Sequence, residues 1–177
     1  MKKKEKNSKI ITLIFFSIFL IWILLQILSP ALSQSNTIDN LSGITGIKDN
    51  ELITDDFPFP INVVYSAGDY LCHQKSERSI YINGNQMPFC SRCTAIWFGI
   101  VIGLGIMIFY SIELNNKFLI AVFLGILPLG IDGAGQLIGL WESTNIIRFL
   151  TGGITGIVCG LAIGIIIDEI VKPRKIN

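Results

Sequence analysis

Charge is scarce in this chain. Asp, Glu, Lys and Arg make up 15% of its 177 residues, and the formal net charge is +1. A nucleic-acid binder carries a clustered basic excess, so that class is excluded. Cysteine is also scarce: four residues are too few for a disulfide scaffold of this length. Histidine occurs once. What the chain has in quantity is apolar side chain, at 51% of residues. That balance is too hydrophobic for an ordinary soluble domain and points to spanning helices.

The apolar residues fall into four runs. A basic head, MKKKEKNSK (1–9), precedes a run from Ile10 to Leu28. About 20 apolar residues cross a bilayer as a helix. The rival reading is a cleavable signal peptide, because the small residues of SPALS follow the run. Its length exceeds the usual apolar core of about 7–15 residues in a signal, which favours a retained anchor. The later runs cover 94–110, 118–141 and 146–171, and KPRKIN (172–177) closes the chain. Between the first two runs, residues 29–69 read as a polar linker. From about Gln34 to Phe57 it shows no sustained period and is expected to be loop or loosely ordered, and PFPINVVYSAGDYL then regains apolar character. Asn40-Leu41-Ser42 in this linker fits the N-glycosylation pattern, a weak signal in any chain. The fold expected is an all-α membrane protein with four transmembrane helices. A small extracytoplasmic Cys/His segment at 70–93 contains a short β-hairpin, whose Asn83-Gly84 supplies the positive-φ pair of a type I′ turn. Basic residues flank both ends, so the positive-inside rule places both termini in the cytoplasm.

An up-and-down course of four spans gathers polar residues at one face. Arg92 and Cys93 open the second span, Asp132 and Gln136 share a helix face in the third, and Arg148 lies in the first turn of the fourth. A carboxylate in a span costs roughly 3 kcal/mol, so Asp132 needs a partner or a cavity. Arg148 is the expected counter-charge, either as a structural ion pair or as one wall of a substrate-facing pocket. Pro128 and the glycines around Asp132 mark this helix as a candidate for a break or kink. Gly152, Gly156, Gly160 and Gly164 recur at intervals of four, as do Gly99 and Gly103. Small-xxx-small faces serve close helix packing, within the chain or in a homo-oligomer. Cys159 among them reads as a small packing residue.

CHQKSERSIYINGNQMPFCSRC holds three of the four cysteines and the only histidine. Three readings fit it. As a metal site, Cys72, Cys90 and Cys93 are a zinc-type donor set, with iron a second choice and His73 a fourth ligand or a neighbour. Adjacent residues point apart, so Cys72 and His73 do not easily share an ion. Three protein ligands leave the open position of catalytic zinc, where His73, Glu77 or Asp132 would act as acid/base or supporting groups. As a structural element, Cys72 pairs with Cys90 or Cys93 in a disulfide, and no cofactor is needed. As a redox site, the CxxC at a helix start with Arg92 between its thiols favours thiolate, although no thioredoxin-like βαβ pattern accompanies it.

CHQ, Arg78-Ser79, PFCSRCTAIWFG, LPLGIDGAGQ and ESTNIIRFLTGGITG occur in that order. Together they resemble the prokaryotic integral-membrane family known as domain of unknown function 2085, from about Tyr70 to the end of the fourth span. Ala95 stands where that family usually has Gly, and Trp97 where Tyr is common. The resemblance implies a membrane protein and no activity. The expected function is a Cys/His metal site over a polar pocket, with Arg92, Gln136 and Arg148 binding an anionic, lipid-like substrate. The competing classes are a non-catalytic scaffold or small transporter stapled by its cysteines, and a membrane dithiol protein. Whether the chain is an enzyme stays open.

Overall fold

The computed structural model describes residues 2–41 and 43–171. Four of its helices are long and apolar enough to span a membrane. Helix α1 covers Lys2–Leu32 and takes in the basic head as well as the apolar run. Lys and Glu are good helix formers, so nothing in the head stops the helix. After two short helices, α2 (Glu51–Thr54) and α3 (Ile61–Leu71), come strands β1 (Ser79–Ile82) and β2 (Asn85–Cys90). Helices α4 (Ser91–Phe109), α5 (Asn116–Leu137) and α6 (Asn145–Val171) complete the chain. The basic tail at 172–177 and Ser42 of the glycosylation pattern lie outside the described residues.

The hairpin is antiparallel, with Ser79 opposite Cys90 and Ile82 opposite Asn85. Asn83 and Gly84 turn it at φ 55° and 72°, the two left-handed positions of a type I′ turn. Helix α4 packs closely on α6, while α1 covers α4, β2 and part of α6. Glycines set the α4–α6 approach. A Cβ on Gly156 would meet the Ile96 carbonyl and the Gly99 Cα, and one on Gly103 would meet the Ile157 carbonyl. The glycine stripes thus serve close helix packing within the chain. Helix α5 is continuous through Pro128 and is not broken there. Thr155 Oγ1 donates to the Gly125 carbonyl at 3.0 Å, beside the carbonyl that Pro128 deprives of its helical donor. At the far end of the bundle, Ser8 donates to Asp168 and so ties α1 to α6.

The polar segment between α1 and the hairpin departs from expectation: it is packed, not loosely ordered. Ile38, Leu41 and Tyr65 form a buried cluster with Phe57 and Ile61 against it. Buried amide side chains then stand in for a regular backbone ladder. Asn85 Oδ1 accepts from the Thr37 and Ile38 amides at 2.9 and 3.0 Å. Its Nδ2 donates to the Pro30 carbonyl at 2.9 Å. Gln86 accepts from the Leu41 amide at 3.0 Å and donates to the Leu41 and Gln74 carbonyls. Gln74 in turn donates to the Pro88 carbonyl at 2.9 Å. Buried polar groups require partners of this kind, and here they lock the segment onto β2.

Candidate metal centre

Three elements deliver three thiols to one point. Cys72 follows α3 in an extended conformation, Cys90 ends β2, and Cys93 lies in the first turn of α4. The hairpin turn folds the last two back onto the first. The three Sγ atoms all lie within 4.8 Å of one another. The Cys90 amide donates to Cys72 Sγ at 3.4 Å, which fixes the register of strand and loop. All four cysteines are free thiols. Zn–S bonds of about 2.3 Å require only a small contraction of such a triangle, so the cluster is a donor set compatible with a metal ion.

The thiols are electrostatically unequal. The Cys72 and Cys93 side chains donate toward Cys90 and hold its thiol far below the ordinary range, and the Arg92 and Cys93 amides at the start of α4 act in the same sense. The same contact with Cys90 pushes the Cys72 thiol up. The three thiols interact closely enough to titrate as one coupled set. A thiolate is what both a metal and an electrophile require.

His73 does not join the cluster. It is exposed, and its Nε2 lies 3.4 Å from Thr45 Oγ1. The divergence of neighbouring side chains along an extended backbone is the reason, because Cys72 turns inward and His73 turns out. Glu77 is also exposed and lies 3.6 Å from the Arg78 guanidinium, on the solvent side. In this arrangement His73 stands outside the three-thiol cluster as a neighbour, and Glu77 stands outside it too.

Asp132 is buried, at 4% exposure, but its partner is Arg92 and not Arg148. The first turn of α4 brings Arg92 to the height of Asp132. Arg148, at 5% exposure, turns back along its own helix, where its Nη1 donates to Asn145 Oδ1 at 3.0 Å. Asn145 also donates to the Ser79 carbonyl at 3.2 Å, and Ser91 Oγ donates to the Arg78 carbonyl at 3.0 Å. These two bonds tie α6 and α4 to the start of the hairpin and draw Arg78 toward Arg92 and Arg148. The Nε atoms of all three arginines are buried without a hydrogen bond. Gln136 is half-buried one turn beyond Asp132. Arg78 was not among the expected site residues; its only sequence signal is its place in the Arg78-Ser79 motif between the cysteines.

A groove of about 560 Å³ opens between α5 and α6. Leu124, Leu127, Ile131, Trp141 and Thr151 line it, together with Asp132. Such a volume is that of a small-molecule site, and its walls are almost wholly apolar.

These features define a class: a multi-pass membrane protein of four apolar helices, with a three-cysteine cluster and an arginine-rich junction at one end of the bundle. The family follows from comparison. The profile of the family described as "Predicted membrane protein (DUF2085)" matches residues 72–166, more than half of the chain, and the chain belongs to that family. The match begins at Cys72 and includes the thiols, the three arginines and Asp132. An uncharacterized protein of Methanocaldococcus jannaschii is 38% identical over 97 residues, which is 52% of this chain and 61% of that protein. An uncharacterized protein of Methanothermobacter thermautotrophicus is 37% identical over 94 residues, 53% of this chain and 83% of that protein. The chain thus spans less than two thirds of the length of the first relative. No solved structure matches.

Proposed function

We propose that Cys72, Cys90 and Cys93 bind a zinc ion, with iron the second candidate, in a site that leaves one coordination position open. The site lies at the outer membrane face, both termini being cytoplasmic, and works with Arg92, Asp132, Gln136 and Arg148 on a lipid-like substrate at the interface. The observation that carries this reading is the convergence of three Sγ atoms from three separate elements within 4.8 Å. A structural zinc site is closed by a fourth protein ligand, whereas three ligands are the pattern of catalytic zinc. Among the described residues, the cluster contains no fourth His, Cys, Asp or Glu donor. When bound, the metal supplies Lewis acidity and a water acidified toward neutral pH. The chain's own part is to orient three thiolates, hold Arg92 on Asp132, and keep a buried guanidinium, Arg148, beside the cluster. The retained first helix is consistent with its packing on α4 and α6.

Cobalt(II) loading of the detergent-purified chain tests the ligand set. Thiolate-to-cobalt charge-transfer absorption is expected in the wild type, unchanged in His73→Ala, and lost or strongly weakened in Cys72→Ser. A band that survives Cys72→Ser intact, or that disappears in His73→Ala, contradicts the assignment.

A further inference from the structure

Arg148 is the buried charge that the metal reading leaves without a carboxylate. Asp132 is committed to Arg92, and the hydrogen bond Arg148 makes goes to a neutral amide, Asn145. Its guanidinium lies within electrostatic range of Arg78, Arg92, Asp132 and Cys90, so two like charges face it along with one carboxylate and one sulfur. Glu77, beside Arg78, is 64% exposed at its side chain, and water screens it. A metal bound by three thiolates carries one net negative charge and offsets one guanidinium. After Asp132 offsets another, one positive charge remains in a junction open to solvent at Arg78 and Arg92, whose side chains are 35% and 23% exposed. The apolar groove between α5 and α6 shares one residue with this junction: Asp132, the partner of Arg92, is part of its lining.

We infer that the junction of Arg78, Arg92 and Arg148 binds the headgroup of an anionic phospholipid, whose chain lies in the α5–α6 groove against Trp141. Guanidinium forks match phosphate oxygens, and Arg148 has a free Nε to complete such a fork. Cationic side chains in a span mark ligand paths, and a lipid is the ligand that presents a phosphate and an apolar chain together. This inference deepens the proposed function by naming its substrate class, and it rests on that reading only for the neighbouring metal.

The test uses the full chain with Trp22→Phe and Trp97→Phe, so that Trp141 is its sole tryptophan. It is reconstituted in phosphatidylcholine vesicles containing brominated-chain phosphatidylglycerol or brominated-chain phosphatidylcholine, and Trp141 quenching is recorded. Phosphatidylglycerol is expected to be preferred about fivefold or more, the factor one basic residue supplies at an anionic surface. Arg148→Gln and Arg78→Gln are each expected to bring the preference down toward one, and Arg148→Lys to keep most of it. Should Arg148→Gln fail to fold, Arg78→Gln, at the most exposed of the three arginines, decides. Equal quenching by the two lipids, or a preference that survives Arg78→Gln, overturns the inference. So does a preference abolished by excess inorganic phosphate, since the site would then take free phosphate. Metal content is measured on the same samples. A lipid preference in protein without metal refutes the metal reading alone, while metal without a preference refutes this inference alone.

Discussion

Gly156→Leu is expected to abolish the folded protein. The Cβ that leucine requires would run into the Ile96 carbonyl and the Gly99 Cα of α4. Both are backbone atoms of a helix held at both ends, so neither can rotate away as a side chain does. Overpacking a core ordinarily costs about 1–3 kcal/mol when side chains can adjust. Here the helices must separate, and their separation also displaces Arg92, whose carbonyl lies against Gly152. Against a total stability of roughly 5–15 kcal/mol, that is enough to lose the native state at ordinary temperature. Monodispersity in mild detergent and thermal unfolding followed by helical signal measure the effect. Gly153→Ala is the control on the same helix. A Cβ there meets nothing within 4 Å. Its effect is expected to be neutral or stabilising by up to about 1 kcal/mol, the helix-propensity gain over glycine. Equal damage from both substitutions would mean that the α4–α6 contact is not as described.

The second large effect is at Asp132. Asp132→Leu leaves Arg92 charged, three-quarters buried and without its carboxylate. Breaking one side of a buried pair costs about 3–5 kcal/mol, and the residual exposure of Arg92 argues for the lower end. Replacing both partners, as in Arg92→Met with Asp132→Leu, removes the stranded charge and is expected to recover most of the loss. The double variant should therefore be more stable than Asp132→Leu alone. A double variant as unstable as the sum of the two single changes would show that Asp132 and Arg92 act independently. Arg148→Met combined with Asp132→Leu should recover less, because it relieves only like-charge repulsion and leaves Arg92 without its carboxylate.

Much of this architecture can be read from residue order. Long apolar runs mark the four spans because lipid imposes one solution, a helix that satisfies its own backbone. Asn83-Gly84 marks the hairpin because few dipeptides tolerate two positive φ angles. The hairpin brings Cys90 and Cys93 back to Cys72. The adjacency of Cys72 and His73 already argued against both serving one ion, and the structure turns His73 away. The identity of Asp132's partner was not legible. Arg92 and Arg148 both sit near the same end of neighbouring spans, and the choice depends on helix rotation, which the sequence pattern leaves free. The order in residues 29–69 was not legible either. Its core has few apolar residues, Ile38, Leu41 and Tyr65 among them, and part of its backbone is satisfied by the side chains of Asn85 and Gln86. Amides that bond to distant backbone leave no periodic trace, so the segment resembled a linker.

Metal content per chain tests the central claim most directly. The full chain is purified in detergent under anaerobic conditions, beside a Cys90→Ser/Cys93→Ser double variant, and both are assayed for zinc and iron by elemental analysis. About one zinc or iron per wild-type chain, absent from the variant, is the result the three-thiol geometry predicts. A wild-type chain without metal, with thiol titration showing two of its cysteines paired, would contradict it and leave a disulfide-stapled or dithiol membrane protein.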